Sequence, residues 1–487
     1  MSKSPLISFV VPVYKKPVAV FRQCLKSLFD KSVPKPFEVI CVFDGEDLEL
    51  KAVADEFPRA LQLTIEYGGA PKARNAGLDQ ATGEYVWFVD SDCYLKPGHV
   101  KRMMDEFKAV PDADFVYSGY EGTEGAGEFQ SESFDAYSLT CGNYISSMAP
   151  IKRAKAHRWD ETLEAAQDWD YWLTAVENGC KGVFVEGSGF IADTPNAGIS
   201  SIKWNAENRD KTILTVRQKH GIQTREIGVF SQNYRERAIK LAEIMGADYI
   251  KPTGLSPTSY KMILNLGYNF MSRFDGIGSD VVKLQYWLPN EIEGLKNAKY
   301  TTVMETIRVA KGVINLCNTD YEKNKLGELG ITADVIALPL AQADIAKVST
   351  TLPEKFSVLV ATDKAYADLL KELPLDLPHI NFIFNAAKVQ DFSCFVSFYQ
   401  FAAVDNAMMI AQVNGRHVIS NAQAPYCGFI DPDQSWEGFK KDLYDKLAQI
   451  QKLPINKEAQ AHYLKIASPQ EFKTEISSYF RQPLEVI

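Results

Sequence analysis

The chain has 487 residues, 46% hydrophobic and 24% charged, with a formal net charge of −9. That composition excludes a largely disordered chain or a low-complexity fibre, and at roughly 150 residues per domain the length suits about three domain-sized units. An acidic balance argues against binding nucleic acid through bulk charge, though not against a local basic patch. Cysteines stand at 24, 41, 93, 141, 180, 317, 394 and 427, with no pair two residues apart and no zinc-ligand spacing. They read as reduced, buried thiols in a cytoplasmic setting. Met1 to Pro5 passes straight into an apolar run without a signal-peptide layout. No apolar run reaches about 18 residues, so no membrane span is expected.

Residues 6–14, LISFVVPVY, are continuously apolar and predict a buried parallel strand. Helical spacing follows over 18–29, then strand-like runs at 37–43 and 60–66. PKARNAGLDQ, 71–80, reads as a helix, and EYVWFVD, 84–90, as a fourth strand. This order indicates an α/β domain with a mostly parallel sheet. Residues 118–135 are rich in Gly, Ser and Glu and are expected to form a mobile loop. An amphipathic helix ended by Gly179 follows within 159–179, and a polar, then helical, stretch spans 193–221. A boundary is placed near 222.

Beyond it a second α/β pattern begins. Strands are expected at 227–230, 281–287, 313–317 and 334–340, with a helix over 235–249. A third pattern starts at 355–362, with a helix over 364–372, strands in INFIFN, CFVSFY and RHVISN, and helices over 401–414 and 436–452. The economical parse is a domain over 1–221 and two Rossmann-like lobes over 222–348 and 349–487.

Ligands of open parallel sheets gather beyond the carboxyl ends of the strands. Here those ends carry Tyr14, Asp44 and Asp90-Ser91-Asp92. Two carboxylates separated by one residue can grip a hard divalent cation and, through it, a diphosphate. Alone, Asp-x-Asp more often marks a solvated turn. A carboxylate such as Asp44 can accept an N–H from a nucleotide base, and an arginine such as Arg74 can pair with phosphate.

The ordered series SFVVPVY, FDGED and GGAPKARNAGLDQATGEYVWFVDSD, within residues 8–92, resembles the family 2 glycosyltransferases, which have the GT-A fold. The resemblance covers about 1–221. It implies a nucleotide-diphosphate sugar donor, with a UDP-sugar first among the choices. Pro12, Val13, Tyr14, Asp44, Arg74, Asp90 and Ser91 are then expected at the donor, and Asp90 and Asp92 around Mn or Mg. In Gln167-Asp168-Trp169-Asp170, Asp168 matches the general base of an inverting displacement, with Trp169 and Asp170 toward the acceptor. N-terminal helix capping is the competing role for both aspartates. The sequence departs from the family pattern in three places. Phe43 and Glu46 replace an aspartate and a serine around Asp44, Gln167 replaces a glutamate, and DTPNAGISS at 193–201 has no histidine. Asp193 or a later lysine is the substitute expected there.

GNYISS at 142–147 and IKRAKAHR at 151–158 are candidates to face the acceptor, although a basic run more often forms a solvated helix face. The segment 395–421 loosely resembles the donor lobe of GT-B glycosyltransferases, with Gln400 or Asp405 near its acidic positions and the pair incomplete. That resemblance implies a degenerate GT-B-like region binding acceptor or partner. The leading expectation is a metal-dependent inverting transferase with a glycan hydroxyl as acceptor, acting in the cytoplasm, at the inner membrane surface, or in a host cytoplasm if phage-encoded. The alternatives are a phage-type enzyme acting on hydroxymethylated bases in DNA and a sugar- or nucleotide-binding protein without catalysis. A nucleotidyltransferase would show a Gly-rich phosphate loop, which VPVYKKP lacks.

Overall fold

The computed structural model describes residues 6–57, 59–123, 127–129, 131–193, 206–223, 225–251, 254–267, 274, 277–278, 280–288, 291–292, 312–339, 351–353, 355–362, 381–383, 391–398, 406–421, 424–431 and 434–479. The chain divides into two units. The first is Met1–Thr224 with Ile250–Ser256, and the second is Arg225–Tyr249 with Pro257–Ile487.

The first unit runs β1 (Ile7–Val13), α1 (Val18–Leu28), β2 (Phe37–Asp44), α2 (Leu48–Asp55), β3 (Ala60–Ile65), α3 (Gly69–Gln80), β4 (Tyr85–Phe88), β5 (Cys93–Leu95), α4 (His99–Ala109), β6 (Phe115–Gly122), β7 (Glu128–Phe129), α5 (Ala136–Cys141), β8 (Ile151–Lys152), α6 (Gln167–Glu177), β9 (Gly182–Ala192) and α7 (Ala206–Lys219). One sheet holds its strands in the order β3-β2-β1-β4-β8-β6-β9-β5, with β7 beside β6. Strands β3, β2, β1 and β4 are mutually parallel, as are β6 and β9, while β8 and β5 run antiparallel to their neighbours. The expected α/β unit with a mostly parallel sheet is therefore present.

The strand sequences explain this placement. All seven residues of β1 are buried, as a strand covered on both faces requires. Its core partners include Phe21, Leu25 and Leu28 of α1 and Leu50, Val53 and Ala54 of α2. On the opposite face α3 approaches so closely that a Cβ at Gly77 would lie 2.3 Å from Val10 Cγ1. The helix can sit there only because that position has no side chain.

The segment 118–135 differs from the expected loop. Its first residues complete β6, and Glu128 and Phe129 return as β7, pairing Tyr120 with Phe129. Glycine-rich composition concealed an aromatic ladder in which Tyr120 stacks on Phe129 at 4.7 Å and on Phe190 at 5.0 Å.

Among the described residues the second unit contains two sheets whose strands are all parallel. The first takes β10 (Ile227–Phe230), β11 (Asp248–Tyr249), β12 (Met262–Leu266), β13 (Val282–Tyr286), β14 (Val313–Cys317) and β15 (Ala333–Val335), in the order β11-β10-β12-β13-β14-β15. The second takes β16 (Ser357–Thr362), β17 (Asn381–Ile383), β18 (Cys394–Phe398), β19 (His417–Ser420) and β20 (Cys427–Phe429), in the order β17-β16-β18-β19-β20. The helices described in this unit are α8 (Arg235–Met245), α9 (Asp320–Glu328), α10 (Asn406–Val413), α11 (Trp436–Ile450), α12 (Lys457–Ile466) and α13 (Pro469–Ser478). The helix expected over 235–249 stops at Gly246, whose φ of 66° ends it, and 248–249 form a strand. The strand expected over 334–340 is shorter, Ala333–Val335. The helix expected over 364–372, and Gln400 and Asp405, lie outside the described residues. Among the described residues no helix is long and apolar enough to cross a membrane.

Candidate active site

Strands β2, β1 and β4 are adjacent and parallel, so their carboxyl ends open on one edge of the sheet. That edge gathers Asp44, Tyr14 and Asp90. Pro12 and Val13 are buried in β1 opposite Val42 and Phe43, whereas Tyr14, just past the strand, is 42% exposed. Tyr14 meets Tyr67 edge-on at 6.0 Å, and Tyr67 is 65% exposed. Gly45, at φ 93°, lets Tyr67 lie against the chain, because a Cβ there would fall 2.3 Å from the tyrosine ring. Asp44 accepts the backbone N–H of Gly68 on Oδ1 (2.8 Å) and of Gly69 on Oδ2 (2.9 Å). It thus fixes the entry to α3, and each oxygen keeps lone-pair capacity for another donor. The two tyrosines and Asp44 make an open aromatic ledge beside a carboxylate. Tyr67 escaped the sequence reading because nothing local distinguishes it.

Arg74 is the hub of the site. It projects from α3 and is buried. Its Nη2 donates to Asp90 Oδ1 at 2.7 Å and its Nη1 to Gln167 Oε1 at 3.4 Å. Its guanidinium lies 4.4 Å over the Trp159 ring. A column of stacked rings continues from there, with Trp159 on Tyr171 at 4.2 Å and Tyr171 on His157 at 4.0 Å. Asn75 locks this column to α3 by exchanging hydrogen bonds with the Trp159 backbone at 2.8 and 2.9 Å.

Asp90 follows β4 and receives Arg74 on one oxygen and Ser147 Oγ, at 2.9 Å, on the other. Burial works against its charge, but the Arg74 guanidinium and these hydrogen bonds outweigh it and hold the carboxyl below its ordinary range. Asp92 pairs with Lys16, a partner absent from the sequence-derived site. Ser91, between them, is buried. Asp193 donates its backbone N–H to Asp92 O at 2.9 Å, and its Oδ1 accepts from Thr123 Oγ1 at 3.2 Å. The Asp193 backbone therefore lies beside that of Asp92, while its carboxylate is engaged by Thr123. Among the described residues no three His, Cys, Asp or Glu side chains converge into a ready metal cage.

Helix α6 begins after Ala166, which adopts a left-handed φ of 55° that costs a non-glycine residue energy. Asp168 lies in the first turn, half-buried, with Oδ1 accepting from Trp169 N at 2.9 Å. Burial pushes its carboxyl above the ordinary range; the positive charge of Arg74 opposes this and the negative charge of Asp90 adds to it. Tyr120, on β6, feels the same carboxylate. Burial and then the Asp168 charge raise its hydroxyl to about 12.

The remaining expected site residues are placed as follows. Trp169 is 1% exposed and donates Nε1 to Leu139 O at 2.7 Å. Asp170 is 3% exposed and is paired with Lys219 and His220. Both point into the unit. In GNYISS, Ser147 turns to Asp90. In IKRAKAHR, Lys152, Arg153 and Arg158 are tied to Pro111 O, Gly83 O and Asp79. That run forms β8 and a 3-10 turn, Arg153–Lys155, in place of a solvated helix face.

The open edge of a mostly parallel sheet thus carries paired carboxylates, a buried arginine and a half-buried acid. Residues 8–163 match the model of Glycosyl transferase family 2, so the first unit carries a glycosyltransferase family 2 domain. An uncharacterised glycosyltransferase of Bacillus subtilis (strain 168), YwdF, is 28% identical over 188 residues, covering 35% of this chain and 68% of the relative. The poly(ribitol-phosphate) beta-N-acetylglucosaminyltransferase TarS of Staphylococcus aureus (strain Mu50) is 30% identical over 190 residues, covering 35% of this chain and 32% of the relative. The chain thus spans about two thirds of the first relative and about one third of the second. The crystal structure of S. aureus TarS 1-349 in complex with UDP-GlcNAc aligns with a TM-score of 0.37 at 22% identity, covering 50% of this chain and 68% of that one.

Proposed function

We propose that the chain is an inverting glycosyltransferase that moves a sugar from a nucleotide-diphosphate donor, a UDP-sugar first among them, to a hydroxyl of a glycan acceptor. The observation that carries this reading is Arg74. One buried guanidinium joins the Asp90 carboxylate to Gln167 at the start of the helix that bears Asp168. The donor's diphosphate and the acceptor's base are thereby held in fixed relation. The exposed Tyr14–Tyr67 ledge beside Asp44 supplies a surface for the base and an acceptor for its N–H groups.

Asp168 takes the proton of the acceptor hydroxyl as its oxygen bonds to the anomeric carbon. The bond from that carbon to the diphosphate oxygen breaks in the same displacement, which inverts configuration. A carboxyl raised by burial is a stronger base than a solvated one. Asp90 and Asp92 suit Mn or Mg, since such ions are commonly held by one or two carboxylates together with substrate phosphates and water. Asp92 is paired with the Lys16 ammonium, 28% exposed, which such an ion would have to displace. Such an ion, when bound, offsets the charge growing on the departing diphosphate. The named activity of TarS, on a polyol-phosphate polymer, favours a glycan over DNA as acceptor. Two all-parallel sheets support reading the second unit as Rossmann-like, GT-B-like lobes that bind acceptor or partner.

The test is thermal stabilisation by UDP, GDP, CDP and TDP, each with and without manganese, because a ligand of the folded state raises the melting point by mass action. A shift with one nucleotide that requires manganese and is lost in Asp92→Ala is the expected result. No shift with any of them removes the donor assignment.

A further inference from the structure

Helix α6 is gripped by a group of charges that the transfer step does not use. Asp170, in its first turn, and Glu177, at its last residue, are two turns apart and so share a face. His220 bridges them: Nε2 lies 2.8 Å from Asp170 Oδ1 and Nδ1 lies 2.8 Å from Glu177 Oε1. The imidazole is 3% exposed. Carboxylates only accept hydrogen bonds, so both ring nitrogens must carry protons for both contacts to hold. A neutral imidazole has one N–H and would set a lone pair against a carboxylate oxygen.

We propose that His220 is a positioning residue for the transfer reaction: as an imidazolium it braces α6 through Asp170 and Glu177, sets the orientation of Asp168, and makes the enzyme lose activity on the alkaline side when the ring gives up its proton. The proposal rests on the reading of Asp168 as the base. All groups facing the ring are on hand. Asp170 and Glu177 come from α6, and Lys219, next to His220 in sequence, meets Asp170 Oδ1 and Asp160 Oδ2 at 2.6 Å each. His157, stacked on Tyr171, senses both Asp170 and Lys219. Three carboxylates thus face two cations, and a deprotonated His220 leaves Lys219 to balance all three.

The direction of titration agrees. Burial disfavours the charged ring, but the hydrogen bonds and charges of Asp170 and Glu177 outweigh it and hold the pKa above the ordinary histidine value of 6.5. A raised folded pKa gives a contribution that is complete below the unfolded value and is lost as pH rises through the folded one. The brace is therefore closed below the ordinary histidine value and opens as pH rises through the raised one.

The test uses the full chain, with 15N-histidine NMR and tryptophan fluorescence followed from pH 5.5 to 9. Trp169 and Trp172 on α6 report its packing. The expected result is a His220 signal with both nitrogens protonated at pH 6.5 and a fluorescence transition tracking its titration. In Glu177→Gln, at a position whose side chain is 52% exposed, both should move together to lower pH. UDP release from UDP-N-acetylglucosamine, measured in parallel, should show an alkaline limb with the same shift and an unchanged donor KM, and His220→Gln should lower kcat about tenfold to a hundredfold on the acid side of that limb, with the deficit shrinking across it. A neutral His220 at pH 6.5, or a fluorescence transition that Glu177→Gln leaves in place, overturns the brace. No UDP release in any variant counts against the transferase reading, while the NMR and fluorescence results still decide the brace.

Discussion

Arg74 cannot be exchanged for lysine without loss. Its planar fork reaches Asp90 and Gln167 at once while its face stacks on Trp159, and an ammonium can do neither together. Arg74→Lys is expected to weaken nucleotide binding at least tenfold by titration calorimetry, about 1.4 kcal/mol, and to let Asp90 rise toward its ordinary range. Asp168→Asn should lower transfer about 10²–10⁴-fold and leave nucleotide affinity intact, the loss typical of removing a general base. Because burial raises Asp168, the wild-type rate should also fall as pH drops through a pKa above 3.8, and the acid limb should vanish in Asp168→Asn. A limb that persists in the variant would assign it elsewhere. Arg74, Asp90 and Asp168 were legible because each sits in a short motif. Lys16 and Trp159 were not. Lys16 meets Asp92 across 76 positions of sequence, and Trp159 reaches Asn75 across 84, so no local pattern could pair them.

At the scale of elements, the sheet edge depends on how closely α3 lies on β1. Gly77→Ala places a methyl 2.3 Å from Val10 Cγ1. Overpacking of this kind costs about 1–3 kcal/mol, to be read as a lower urea midpoint at unchanged m-value. Arg74 and Asn75 ride on the same helix, so nucleotide affinity should fall with it. The continuous apolar strands β1, β2 and β4 were readable from their runs alone. Helix α2 was not, because FDGED reads as a turn. Asp47 in that turn is its N-cap, accepting from Leu50 N at 3.0 Å, and Leu50, Val53 and Ala54 supply the buried stripe. Strand β9 was also missed. Gly187 and Gly189 interrupt its alternation, and its pairing with β6 shifts register between Ser118 and Tyr120.

At the scale of the whole chain, the first unit is not continuous in sequence. Residues 250–256 belong to it although 225–249 do not. Lys251, buried, meets Glu132 Oε1 at 2.6 Å and lies 4.1 Å over the Tyr144 ring. Arg209 donates to Gly254 O at 2.6 Å. Removing one partner of a buried ion pair costs about 3–5 kcal/mol. Lys251→Met should therefore lower the melting temperature of the first unit, and Glu132→Gln combined with it should recover part of the loss. A fragment ending at 256 should likewise be more stable than one ending at 221, measured by thermal melting of each. Equal stability would show that the later segment adds nothing. Sequence reading placed the boundary at a change of pattern, and a seven-residue return has no pattern of its own.

That return also sets an order of events during synthesis. Domains generally fold in the order in which they leave the ribosome. Here the last piece of the first unit is made only after a strand, a helix and a second strand of the next have been translated. Until Lys251 emerges, Glu132 waits without its ammonium partner, and the nascent first unit is completed later than its own leading residues alone would set. Slowing translation between codons 225 and 256 should lengthen the period in which that unit is open to proteolysis.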